Sequence, residues 1–191
     1  MNSLSKLDIA NFALHLLGGG LALISLDEEK KEAKAISRLY PGTRQSLLME
    51  ADWTFAKKRV LLDDSAETNN TSYVYNYALP SDCLKALVIK DYEAYPFMIE
   101  DEIFYCDVSE AMLLYIYDAQ DVSAFSPGFA RALAFKLAVD LATYLEVSDA
   151  GLYQKYIMEL RAAIGQDLRS GYNSKRSARS YNLIRFDYRG R

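Results

Sequence analysis

Along the first fifty residues apolar positions recur at helical spacing, and after that the spacing changes to a period of two. Ser5 with Asp8 three residues on has the form of a capping box, in which each side chain satisfies the other's backbone donor. Leu7, Ala10, Ala13, Leu14 and Leu17 then form one helix face, and Gly18-Gly19-Gly20 stops it. Ser25 and Glu28 suggest a second capping box, and Asp27, Glu28 and Glu29 suit the positive end of a helix dipole. That helix is expected to run through Ala33, Ile36, Leu39 and Tyr40. Pro41-Gly42 should kink or break it, because proline removes a donor and crowds the preceding turn. From Thr43 to Ala51 the helical period resumes.

The stretch from Ser46 to Leu62 is the joint of the chain. Leu47, Leu48 and Ala51 continue a helix face, while Trp53 and Phe55 already follow a period of two. Trp53, the only tryptophan, is the expected anchor where a helical layer meets a sheet, because its ring buries more apolar area than any other side chain. Lys57, Lys58 and Arg59 interrupt the apolar pattern and predict a solvated basic edge at this helix-to-strand corner. A polar loop follows, to Thr71. Tyr73, Tyr75 and Tyr77 then alternate with Val74, Asn76 and Ala78, a strand with one aromatic face. Pro80-Ser81-Asp82 reads as a turn, Leu84 to Ile89 as a second strand and Tyr95 to Ile99 as a third. Glu100-Asp101-Glu102 is a tight acidic turn into a strand from Ile103 to Val108, and a strand from Ala111 to Tyr117 is expected to pair after it. Short antiparallel strands at this spacing make a small sheet or sandwich.

Ser126-Pro127 opens what reads as the longest helix, with serine at the cap and proline at the first position. Phe129, Leu133, Leu137, Leu141 and Tyr144 mark one face, and Ala130, Ala134, Ala138 and Ala142 another. Only Lys136, Asp140 and Thr143 form a polar line, so this helix is expected at the centre of the helical layer. A last helix, capped by Ser148 or Asp149, carries Leu152, Tyr156, Leu160, Ile164 and Leu168. After Gly171 the pattern ends, and the remaining residues are polar and basic with apolar ones interspersed. The chain is therefore α+β, a helical layer with a small antiparallel sheet.

Composition narrows the class. At 191 residues, 51% apolar and 25% charged, the chain is an ordinary globular protein able to bury a core. Fifteen tyrosines suit half-exposed sheets and protein interfaces. Lys6, Asp8 and His15 break up any apolar leader, and no apolar run is long enough to span a membrane. Cys83 and Cys106 are too few for a disulfide framework and are expected as reduced thiols. From Arg169 to Arg191 seven basic residues stand against Asp187, a local charge of +6 within a net charge of -4, which leaves -10 for the rest. Such a split implies different partners for tail and body.

No catalytic constellation stands out, and no metal site or cofactor is expected. A Ser-His-Asp or Cys-His arrangement would have to use His15, the only histidine, which reads as a plain helix residue. Gly18-Gly19-Gly20 has no preceding strand and no further spaced glycine, so it reads as a helix end and not as a phosphate cradle. Two-carboxylate glycoside chemistry would fall to Glu100, Asp101 and Glu102, although a charged hairpin tip is the simpler reading. In the tail, Lys175, Arg176, Arg179, Arg185, Arg189 and Arg191 are compatible with a nucleic-acid backbone or an acidic protein groove. Tyr181, Leu183, Ile184, Phe186 and Tyr188 favour the protein, since phosphate binding has no need of aliphatic anchors.

Five segments in order carry a family resemblance. They are Tyr40-Pro41-Gly42-Thr43-Arg44 with Leu47-Leu48, Asp52-Trp53-Thr54-Phe55-Ala56-Lys57-Lys58-Arg59, Tyr77-Ala78-Leu79-Pro80-Ser81-Asp82-Cys83, Leu114-Tyr115-Ile116, and Pro127-Gly128-Phe129 with Ala132-Leu133-Ala134 and Leu137-Ala138. Together, over Leu4 to Arg169, the chain resembles the tail tubular protein A family of bacteriophages, the head-to-tail adaptors of short-tailed phages. The resemblance implies a helical bundle of about four long helices (residues 1–52 and 126–170), an inserted small antiparallel β-sheet domain (53–125) and an extended basic C-terminal tail (171–191). It implies a structural protein without enzymatic activity, made in the host cytoplasm and built into the virion as a ring of twelve copies. Its partners would be the portal protein above and the tail nozzle protein below, with DNA passing through the channel without specific binding. By position and character, Tyr181, Leu183, Ile184, Arg185, Phe186, Tyr188 and Arg189 would reach the portal, and the acidic turn Glu100-Asp101-Glu102 would face the nozzle. An acidic body suits a channel wall that must let a like-charged duplex slide.

Overall fold

The computed structural model describes residues 4–18, 22–63, 72–91, 95–148 and 151–171. Among them are four helices and two small antiparallel sheets: α1 (Lys6–Leu16), α2 (Lys31–Met49), a 3-10 turn (Thr54–Ala56), β1 (Lys57–Leu61), β2 (Tyr75–Ala78), β3 (Cys83–Ile89), β4 (Phe97–Glu100), β5 (Ile103–Cys106), β6 (Met112–Tyr117), a second 3-10 turn (Val122–Ala124), α3 (Pro127–Leu145) and α4 (Leu152–Gly171). All six strands lie between α2 and α3 in the chain. The class is α+β.

Local signals set several of these elements. The Ser5 hydroxyl accepts from the Asp8 N–H at 3.1 Å while the Asp8 carboxylate accepts from the Ser5 N–H at 2.9 Å, so the first capping box is complete. Gly18, at φ +77°, ends that helix in the left-handed conformation glycine tolerates; Gly19 and Gly20 lie outside the described residues. The Ser126 hydroxyl caps α3 by accepting from the Phe129 N–H at 3.2 Å, with Pro127 in the first turn. One face of α3 buries Phe129, Leu133, Leu137 and Leu141, another Ala130, Ala134, Ala138 and Ala142. It packs against α1, α2 and α4, the central place its all-round apolar pattern predicts. Gly128 permits the closest approach: a Cβ there would stand 3.1 Å from the Ala163 Cα and 2.9 Å from the Gln166 Oε1.

Other expectations fail for identifiable reasons. Pro41 sits inside an unbroken α2 of 19 residues. A proline in a helix interior costs about 3 kcal/mol. Tyr40, Thr43, Arg44, Leu47 and Leu48, buried on both sides of it, hold the helix together through tertiary packing. Ser25 and Glu28 do not start a helix, since α2 begins at Lys31. Instead the Glu28 carboxylate accepts from the Ile24 and Ser25 N–H groups, and the Ser25 hydroxyl from the Asp27 N–H, closing a turn. Salt-bridged to Lys30 and held by these two amides, the Glu28 carboxyl is lowered to about 2. The last helix starts at Leu152, three residues beyond the earliest start that Ser148 as cap would give; Asp149 lies outside the described residues. Tyr144 and Leu168 are exposed, not buried on the faces assigned to them. At 20 residues α4, not α3, is the longest helix, and α1 has only 11.

The strands form two three-stranded sheets, β1-β6-β3 and β2-β5-β4. β6 does not pair with β5, as the run of strands suggested; it is the centre of the other sheet, with Arg59 opposite Leu114 and Ile89 opposite Leu113. Side chains of both sheets share one core, in which Tyr77, Phe104 and Cys106 meet Ile89, Leu113 and Tyr115. The Tyr77 hydroxyl inside it donates to the Val108 carbonyl at 2.8 Å. Tyr73 and Tyr75 were expected in one strand, but β2 begins only at Tyr75. Cys83 and Cys106 are free thiols.

A second core fills the helical layer, and it also takes Trp53, Ala56, Ile116 and Ala119 from the two ends of the sheet segment. An ion pair reinforces that seam. The Arg44 guanidinium of α2 donates to the Asp118 carboxylate at 2.5 Å, both side chains nearly buried, and Gln45 and Gln120 donate to the other oxygen. Burial pushes the Asp118 carboxyl up, but the three donors and the Arg44 charge outweigh it and hold the group below its ordinary value. A carboxyl lowered on folding stabilises the fold above its unfolded pKa of about 4, and that contribution is lost as the pH falls through the lower folded value. Asp118→Asn leaves Arg44 as an uncompensated buried charge and should cost roughly 3–5 kcal/mol at pH 7, read from urea unfolding. The gap between wild type and variant should close as the pH is lowered below about 4.

Candidate interaction surfaces

The corner predicted at Trp53 is built inward. The indole is fully buried, and its Nε1 donates to the Leu47 carbonyl, 2.9 Å away, near the end of α2. Its ring stands edge-on to Phe129 at 5.0 Å, and Phe55 and Phe125 complete the cluster at 4.9 and 4.8 Å from Phe129. Trp53 and Phe55 are not part of a strand. Residues 54–56 form a 3-10 turn, and both rings point into the helical core. Directly after the indole, the N–H and hydroxyl of Thr54 donate to the buried Asp167 carboxylate of α4 at 2.9 and 2.8 Å. Asp167 had no local signal, because its partner lies 113 residues away in sequence.

Polar side chains elsewhere also tie elements together. Glu50 accepts from the Tyr156 hydroxyl at 2.8 Å and from Lys136 at 3.2 Å, and burial followed by the Glu50 contact raises the Tyr156 phenol. The Thr43 hydroxyl donates to Asp140. The Tyr115 hydroxyl donates to Asp82 at 3.0 Å, and burial together with that carboxylate pushes the phenol up to about 12.

What faces outward is of a different kind. Lys57, Lys58 and Arg59 lie exposed on β1, an edge strand. Lys58 is paired with Asp82 at 2.7 Å and lies over the Tyr117 ring at 3.9 Å. Glu100 ends β4, the edge of the other sheet, and Asp101 and Glu102 form the exposed two-residue turn to β5. The three acids are brought together, but at a hairpin tip and not in a cleft. Tyr144, Val147, Tyr153, Met158 and Leu168 stand exposed on or beside α3 and α4. An apolar groove of about 380 Å³ opens between the starts of α1 and α3, lined by Leu4, Phe12, Phe125, Pro127 and Arg131. His15 is exposed on α1. Tyr181, Leu183, Ile184, Arg185, Phe186, Tyr188 and Arg189 lie outside the described residues.

Among the described residues no group of three His, Cys, Asp or Glu side chains is placed to hold a metal ion, and no helix is long and apolar enough to cross a membrane. Compared with known protein families, the chain matches none, and no curated protein is similar to it.

Two measurements probe these surfaces. Trp53→Ala empties the corner and frees the Leu47 carbonyl, and a loss of about 3–5 kcal/mol in unfolding free energy is expected. Asp101 and Glu102 both hold positive φ, at 48° and 62°, the geometry of a two-residue turn that favours Asn-Gly. The double change Asp101→Asn with Glu102→Gly should raise stability by about 1 kcal/mol, visible as a higher thermal midpoint.

Proposed function

We propose that this protein is a structural head-to-tail adaptor of a bacteriophage virion, one subunit of a ring below the portal through which DNA passes and on which the tail nozzle docks. The observation that carries this is the division of its side chains. Two of its carboxylates, the half-buried Asp118 and the buried Asp167, each join distant elements of the fold, while large apolar residues and open sheet edges are left on the outside. That is the profile of a component that grips neighbours. The architecture supports the same assignment. Among the described residues three helices pack on α3 and every strand lies between α2 and α3, which agrees with a helical bundle carrying an inserted β domain, the plan implied by the phage resemblance.

In this scheme the basic C-terminal segment, residues 171–191, reaches the portal. Tyr181, Leu183, Ile184, Phe186 and Tyr188 supply apolar anchors, and Arg185 and Arg189 pair with acidic groups of the portal. Glu100, Asp101 and Glu102 face the nozzle. No metal or cofactor takes part.

The test combines the intact chain and a form ending at Gly171 with the cognate portal protein. Electron microscopy and sedimentation should show a ring, expected to contain twelve copies, seated on the portal with the intact chain only. Absence of binding by the intact chain rejects the adaptor. DNA binding lost on truncation and weakened by salt would assign a nucleic-acid module instead. Turnover of surface glycans abolished by Glu100→Gln or Glu102→Gln would assign a carbohydrate-degrading tail component.

A further inference from the structure

Each sheet leaves two outer strands: β1 and β3 in one, β2 and β4 in the other. They are not equivalent. β3 packs against α2, and its Lys85 is paired with Asp52 at 2.9 Å. β2 carries no charged residue. β1 begins Lys57-Lys58-Arg59 and ends at the exposed Leu61, whereas β4 begins Phe97-Met98-Ile99 and ends at Glu100, the first acid of the turn. Among the described residues no strand pairs with the outer side of β1 or of β4. Lys57, Arg59, Glu100, Asp101 and Glu102 likewise have no ion-pair partner among those residues.

We infer that the outer edge of β4 of one copy pairs antiparallel with the outer edge of β1 of the next copy of this chain. The strand directions support the match. Antiparallel pairing sets the basic start of β1 against the acidic end of β4, and the apolar end of β1 against the apolar start of β4. One register does this throughout: Arg59 faces Glu100, Val60 faces Ile99 and Leu61 faces Met98, while Lys57 lies level with the acidic turn. The faces agree as well. Val60 and Phe97 both pack towards the core shared by the two sheets, and Ile99 lies on the same side of β4 as Phe97 by strand alternation. An edge without proline or lysine, carrying exposed Met98 and Ile99, is a ready template for an added strand.

Because the two edges differ, the contact is head-to-tail and repeats from copy to copy, so it closes into a ring where the rotation permits. It deepens the ring reading above by assigning the lateral contact. A strand pair of four or five residues buries far less than a standard interface of about 1,600 Å². Single contacts are therefore weak, and stable assembly depends on closure or on a scaffold that holds many copies at once.

The test is charge reversal on the full chain, followed by sedimentation equilibrium up to the solubility limit, with circular dichroism to verify folding. Wild type should associate in a concentration-dependent way. K57E/R59E and E100K/E102K should each weaken association about tenfold or more, because like charges then face each other across the strands. An equimolar mixture of the two variants should regain the wild-type affinity, and so should the fourfold variant, since opposite charges again meet at every junction. A wild type that stays monomeric throughout overturns the inference, as do variants that associate like wild type or a mixture no better than its components. The readout needs no portal: edge pairing without portal binding would remove the adaptor assignment and leave this contact standing.

Discussion

The structure depends on the burial of one indole. Between Leu47 and Lys57 the chain passes from α2 to β1, and Trp53 is the point where that passage is fixed. Its N–H closes on a carbonyl near the end of α2 and its ring rests on Phe129 of α3, while the next residue, Thr54, is held by Asp167 of α4. Three helices are thus joined within two residues before the first strand begins. A buried aromatic with a satisfied donor combines a large apolar area with a fixed orientation, which an aliphatic residue in the same place would not supply.

A single tether would still let the sheets swing. The second lies at the other end of the sheet segment, where Ile116 and Ala119 enter the helical core and Asp118 between them takes Arg44. Because β1 and β6 are neighbours in one sheet, both tethers act on the same three strands. The β2-β5-β4 sheet is held differently, through the apolar core it shares with the first sheet and the Tyr77 hydroxyl bond to the Val108 carbonyl.

Most of what depended on neighbouring residues was legible in the sequence, although Ser25 and Glu28 have the spacing of a helix start and close a turn instead. The Ser5–Asp8 box, the Ser126-Pro127 start, the all-round burial of α3 and the acidic turn at Asp101 and Glu102 rest on side chains within a few positions of each other. Where local preference met tertiary packing, packing decided the outcome. Pro41 stays helical because buried residues on both sides of it have nowhere better to go. Trp53 and Phe55 alternate in sequence, yet a 3-10 turn places both rings in one core. Strand order was the least visible property, since the period of β6 says which face is apolar and nothing about which strand lies beside it. The candidate surfaces divide in the same way. The basic edge was visible because three charges interrupt an apolar run, whereas Asp118 and Asp167 were not, because a carboxylate that closes a long loop looks like any surface acid in the sequence. Of the apolar residues that α3 and α4 leave outside, periodicity places only Tyr144 and Leu168 on a core face, and they show how a regular stripe can outrun the neighbour that covers it.

These tethers bear on assembly as well as on stability. A sheet edge recognises a neighbour through backbone groups of fixed spacing, so the angle at which one copy meets the next is set by how rigidly the edge is carried. β1 follows the Trp53 corner without an intervening loop, which makes the basic edge an extension of the helical core. β4 is an edge of the other sheet, which carries neither tether, and it ends in a turn whose backbone is strained at two acids. In the proposed ring, the β1 side of each junction would thus be carried directly by the helical core and the β4 side only through the second sheet, so any adjustment of the angle between copies would fall to β4.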